Sequence, residues 1–229
     1  ELERGGGDEQ LRLNQIVFAI EKTSTAGANS RRWKIPVAIS IRTFGGGGEA
    51  RDAVAAPERY DLLMEDGTYS FAMPKRGEKK EAAANEPTVV LNPGAVGYYR
   101  VLYSNELMRR LIPSIEDRSL DIKNRLSILQ DYAVFARAGK VSAVDLIELI
   151  NIYRNEDNYV VWTALAGCIA ALKSIFVAES GSNSESFHEW VRWFVAPHAY
   201  RVRWNEASAS GGDVDRMFGA LICDLLIEA

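Results

Sequence analysis

From Trp33 to Ile41 every odd position is large and apolar (Trp33, Ile35, Val37, Ile39, Ile41), while Lys34, Pro36, Ala38 and Ser40 fill the even ones. An extended chain points successive side chains to opposite faces, so this period of two predicts a strand with one buried face. Pro36 has no amide hydrogen to give a neighbour, which predicts either an edge position or a proline nitrogen turned away from the paired strand. Leu11 and Leu13 start a shorter strand. Residues 60–64 and 69–73 flank Glu65-Asp66-Gly67, and Asp-Gly between two such runs predicts a hairpin. Residues 88–91 and 99–103, on either side of Asn92-Pro93-Gly94, predict a last pair of strands.

After Ser104 the spacing becomes helical. Leu107 and Leu111 lie one turn apart, and Pro113 is expected to stop the first helix. Ile122, Leu126, Leu129, Ala133 and Ala136 advance by steps of four and three, with Gly139 as a C-terminal stop. Ser142 followed by Asp145 reads as a capping box for a third helix through Leu149, Ile150 and Tyr153. Trp162, Leu165, Ile169, Leu172 and Phe176 form the stripe of a fourth. A fifth covers about 184–196 with Phe187, Val191 and Phe194, and a sixth begins near Asp213 with Val214, Met217, Leu221 and Leu225. Strands first and helices after predict an α+β chain of two modules, 1–103 and 104–229, the second built of stacked antiparallel helical hairpins. Residues 221–227 are still strongly apolar as the sequence stops, so the array is expected to be incomplete, with self-association through its last helix.

Composition narrows the function. A hydrophobic content of 47% supports real cores, and a net charge of −4 gives no broad basic face for nucleic acid. Residues 159–178 have the length of a membrane span, with Lys173 as the one charge, but Thr163, Gly167 and Ser174 interrupt it and favour a helix packed within a protein. Cys168 and Cys223 fall in apolar helices, the setting of reduced thiols and a cytoplasmic location. Glycine-rich 45–48, charged 75–86 and Gly5 to Gly7 read as solvated connections.

Candidate chemistry is sparse. The two histidines are His188 and His198. His188-Glu189 opens a His-Glu-x-x-His zinc motif, but Arg192 occupies the place of the second histidine and a cation cannot ligate zinc. No serine sits in a Gly-x-Ser-x-Gly elbow. Glu65-Asp66 and Glu156-Asp157 are acidic pairs at expected turns, where capping and solvation are their role. Arg109-Arg110 and Arg201 to Arg203 could meet an anion or a peptide carboxylate, or lie solvated or ion-paired on the surface. Trp33, Trp162, Trp190, Trp193 and Trp204 could be binding platforms but at this spacing more often fill cores; Trp190, Trp193 and Phe194 also suit an interface. The residues therefore assign no catalytic, cofactor-binding or metal-binding role to any position.

A resemblance adds what the residues leave open. Trp33-Lys34-Ile35-Pro36-Val37, Leu91-Asn92, Val96-Gly97-Tyr98-Tyr99-Arg100-Val101 with Tyr103, Asn124-Arg125-Leu126, Gln130-Asp131, Ala136-Arg137-Ala138-Gly139 and Asn155-Glu156 with Asn158-Tyr159-Val160-Val161-Trp162 follow one another in an order that resembles the C-terminal half of M1 family zinc aminopeptidases. The resemblance implies a small β-sandwich third domain and the first part of a helical, HEAT-like fourth domain. It further implies that zinc and catalysis belong to an upstream domain, that the partners are this domain and a peptide substrate, and that the helical part encloses the active site and selects peptides by size. A free-standing helical adaptor that binds peptides or proteins on a concave face is the alternative.

Overall fold

The computed structural model describes residues 2–5, 8–15, 34–42, 57–73, 87–176, 182–199 and 212–229. Six strands come first: β1 (Leu2–Gly5), β2 (Asp8–Asn14), β3 (Ile35–Arg42), β4 (Glu58–Met64), β5 (Thr68–Ala72) and β6 (Thr88–Leu91). Six helices follow: α1 (Asn105–Glu116), α2 (Ile122–Arg137), α3 (Ala143–Ile152), α4 (Tyr159–Phe176), α5 (Ser182–Ala199) and α6 (Asp213–Ile227). Short 3-10 turns cover Pro93–Ala95 and Tyr153–Asn155. The α+β class with strands before helices is thus as the pattern predicts. Two compact units, Glu1–Pro113 and Ser114–Ala229, divide the chain. The first keeps most of α1 with the strands.

In the first unit the strands form two antiparallel sheets ordered β1-β2-β5 and β4-β3-β6. The period of two is obeyed: Leu11, Leu13, Val37, Ile39 and Ile41 are buried. Gly5, expected in a loop, ends β1. β3 is the middle strand of its sheet, not an edge, yet Pro36 costs no bond there. Ala38 turns its N–H to Tyr99 Oη (3.2 Å) and its C=O to the Asn92 amide (3.0 Å). Two residues earlier on the same side, the Pro36 nitrogen also faces away from β4, and β6 reaches back only to Ile39.

Two strand expectations are corrected. Residues 60–64 and 69–73 are not a hairpin, since β4 pairs with β3 and β5 with β2. A two-residue hairpin turn of the Asp-Gly kind needs positive φ, and among the described residues the glycines that have it are Gly94 and Gly139. The 65–67 segment instead carries the chain from one sheet to the other, and the Tyr60 and Phe71 rings meet edge-on at 4.9 Å. Residues 99–103 are not a strand either. Tyrosine hydroxyls take the place of a ladder: the Leu91 amide donates to Tyr103 Oη at 3.0 Å. Asn92 ties the loop itself, its Nδ2 donating to the carbonyls of Gly97 (3.0 Å) and Tyr99 (3.2 Å) while its Oδ1 accepts from the Gly97 amide (2.7 Å). The loop is left-handed at Asn92, Gly94 and Ala95, with φ of 55°, 76° and 56°. For Ala95 that conformation costs about 1–2 kcal/mol. A Cβ on Gly97 would collide with the Tyr99 ring, so the loop closes only around glycine.

The helical unit is assembled through its caps. Asp121 accepts from the Lys123 amide at 2.9 Å to start α2. At its far end Gly139 (φ 67°) donates to Ala136 O and Lys140 to Phe135 O, both 2.9 Å, the paired bonds of a Schellman stop. The Ser142–Asp145 capping box of α3 is present in both directions. Pro113 does not end α1, which continues to Glu116. Its side is exposed, and one missing amide bond is tolerable in the last turn, where Ile115 is buried (2% exposed).

Burial shifts two predicted stripes. On α2 the buried side chains are Arg125, Ile128, Leu129, Asp131, Tyr132 and Phe135, while Ile122 is exposed. On α6 the buried side chains are Ile222 and Leu225, beside a buried Gly219, with Val214 58% and Met217 50% exposed. α4 is the one described helix long and apolar enough to cross a membrane. It packs against α2, α5 and α6, and buries Val161, Trp162, Leu165, Cys168, Ile169 and Leu172. Thr163, Gly167, Ala170 and Ser174 lie on its exposed side, the two-faced pattern of a core helix.

Candidate functional site

The segment from Tyr153 to Trp162, which joins α3 to the first turn of α4, carries a buried polar node of the helical unit. Glu156 sits at its centre, 2% exposed. Both its oxygens face the Arg125 guanidinium of α2, with Nε to Oε2 at 2.7 Å and Nη2 to Oε1 at 3.0 Å. A buried carboxylate loses its water, and only a forked donor of opposite charge matches both oxygens at once. Oε1 also accepts the amides of Asp157 (3.0 Å) and Asn158 (2.9 Å), which lead into α4. The Glu156 carbonyl takes the Trp162 indole N–H at 2.9 Å. Arg125 in turn donates from Nη1 to the carbonyls of Arg118 and Leu120, and its own carbonyl accepts Tyr153 Oη at 2.7 Å. Three helices and two connections are thereby locked by one ion pair.

A polar cavity of about 440 Å³ adjoins this node, lined by Glu116, Asp117, Arg118, Arg154, Asn155, Asp157, Pro197 and His198. Arg118 pairs with Asp157. The Arg154 guanidinium lies 3.8 Å over the ring of Trp193, a cation–π contact at an indole that is 46% exposed. His198 is buried, edge-on to Trp162 at 4.7 Å, with Nε2 2.8 Å from the Arg154 carbonyl. A carbonyl only accepts, so Nε2 carries the proton. Among the described residues, no serine, threonine or cysteine lines the cavity. Its groups can bind and orient a polar ligand but offer no hydroxyl or thiol nucleophile.

The candidate residues from the sequence scatter. Glu156 is capped and deeply buried rather than solvated, whereas Glu65 meets Lys34 at 2.9 Å on the surface. Arg109 and Arg110 both bond Glu106, and these hydrogen bonds hold its carboxyl below the usual range. Trp162 is core, and Trp190 donates to Asn151 Oδ1 at 2.9 Å. Trp33, Trp204 and Arg201 to Arg203 lie outside the described residues. Burial pushes the Cys168 thiol up to about 11, which keeps it protonated at neutral pH; Cys168 and Cys223 are both free. No group of three or more His, Cys, Asp or Glu among the described residues could hold a metal ion. The Arg125–Glu156 pair escaped the sequence reading because the partners stand 31 positions apart. The one signal was that both belong to segments that carried the family resemblance.

A family model described as the ERAP1-like C-terminal domain matches residues 88–228, more than half of the chain. The chain belongs to this family. The match holds the Asn92 loop, the Arg125–Glu156 pair and Trp162. Aminopeptidase M1-A of Oryza sativa subsp. japonica is 27% identical over 221 residues, 96% of this chain and 23% of that protein. Puromycin-sensitive aminopeptidase of Caenorhabditis elegans is 26% identical over 134 residues, 58% of this chain and 12% of the relative. Aminopeptidase N of Lactococcus lactis subsp. cremoris is 30% identical over 130 residues, 56% and 15%. The chain thus spans less than a quarter of the length of each of these aminopeptidases.

Proposed function

We propose that this chain is a non-catalytic region of a zinc aminopeptidase that removes N-terminal residues from peptides, and that its helical unit encloses the active site and influences which peptides enter. The family match over 88–228 carries the reading. It is supported by a sequence whose two histidines form no His-Glu-x-x-His motif. On this reading zinc is held by a peptidase domain outside this sequence, and the polar cavity beside Glu156 belongs to the wall of the substrate chamber. The free thiols favour a reducing, cytoplasmic setting. Incubated with zinc and a fluorogenic aminoacyl substrate, the purified chain is expected to give no turnover. Chelator-sensitive turnover that stays with the chain through purification overturns the proposal.

Self-association through α6 belongs to the same proposal, because Val214, Met217 and Ile227 are exposed on that helix. Sedimentation should then show a concentration-dependent dimer that Met217→Glu abolishes. A monomer across the whole concentration range counts against it.

A further inference from the structure

The loop between β6 and Tyr99 puts three residues in the left-handed region and commits its other groups to holding that shape. Asn92 makes three bonds within it, Gly97 admits no Cβ, and Tyr99 reaches the Ala38 amide. Val96 and Tyr98 take no part. Val96 is 81% and Tyr98 109% exposed, the largest apolar exposures among the described residues of the strand unit. A chain that accepts left-handed Ala95 while it holds two apolar side chains largely in water has the form of a preformed contact surface. Tyrosine suits that role because it covers much area with little side-chain entropy to lose.

We propose that Val96 and Tyr98 are the docking knob by which this region seats on the zinc-bearing peptidase portion of the same enzyme. This rests on the functional reading above. The occupant follows from coverage: the match to aminopeptidase M1-A takes in 221 of the 229 residues yet only 23% of that protein, so a peptidase body much larger than this chain is available to the loop. The receiving surface is an apolar recess with a hydrogen-bond acceptor for the tyrosine hydroxyl.

The test is tyrosine iodination of this chain alone and of the full-length product of the gene that encodes it. Tyr69, 37% exposed on β5, is the internal reference. In the full-length protein, iodination of Tyr98 relative to Tyr69 is expected to fall about tenfold, which corresponds to about 1.4 kcal/mol of protection. The double substitution Val96→Ser with Tyr98→Ser should leave the melting temperature of the isolated chain unchanged and lower that of the full-length protein. Equal iodination in a full-length protein that is an active zinc aminopeptidase overturns the docking alone. A full-length protein without such activity overturns the functional reading and the docking together. Protection of Tyr98 in the isolated chain that grows with concentration means the occupant is a second copy, and also overturns it.

Discussion

Glu156→Ala is expected to destabilise the helical unit by about 3–5 kcal/mol, the cost of leaving one partner of a buried ion pair alone. The remaining Arg125 guanidinium is 4% exposed, so water cannot replace the lost carboxylate without opening the node. The same change removes the acceptor of the Asp157 and Asn158 amides at the start of α4. Urea unfolding followed by far-UV circular dichroism measures the loss. The exchange of both partners for apolar residues, Arg125→Met with Glu156→Leu, should recover most of it, because a buried pair often does no better than an apolar pair of similar volume. The part not recovered, about 1–2 kcal/mol, reports the two amide caps together with the Arg118 and Leu120 carbonyls that lose their Arg125 donor. A single alanine variant that loses less than about 1 kcal/mol would show that the pair is hydrated in solution.

Trp162→Ala should cost a similar amount, about 3–5 kcal/mol. The indole is fully buried and touches Phe194 (5.5 Å), His198 (4.7 Å) and Phe218 (6.0 Å) between ring centroids, so its removal opens a cavity where α4, α5 and α6 meet. Trp162→Phe keeps most of the volume but leaves the Glu156 carbonyl without its indole donor, and is expected to cost about 1–2 kcal/mol. Chemical denaturation of both variants separates packing from the hydrogen bond. Because that bond ties Trp162 to Glu156, the alanine changes combined should cost less than their sum. Simple additivity would mean that the two residues act independently.

Legibility followed the range of the interaction. Gly139 and the Ser142–Asp145 box were readable because a helix end is specified by neighbours within a few positions. The odd-residue face of β3 was readable for the same reason. The Asp-Gly segment was not, since alternation looks alike in a hairpin and in two strands that join different sheets. Residues 99–103 read as a strand on their tyrosines and valine, but those tyrosines bond backbone across the loop instead of forming a ladder. On α2 a polar residue, Arg125, took an inward position that an apolar stripe would have left to its neighbours.

By itself the sequence determined the order of strands and helices, the stop of α2 at Gly139, the capping box that starts α3, and the want of a His-Glu-x-x-His motif, all of them properties of residues close together along the chain. Tertiary structure decided which strands pair, which helix faces turn inward, and that Glu156, which a turn would otherwise leave in water, is buried against Arg125. The reason is desolvation. A residue's partner is set by what surrounds it once water is gone, and only the folded chain brings residues 31 positions apart into that shared, dry space.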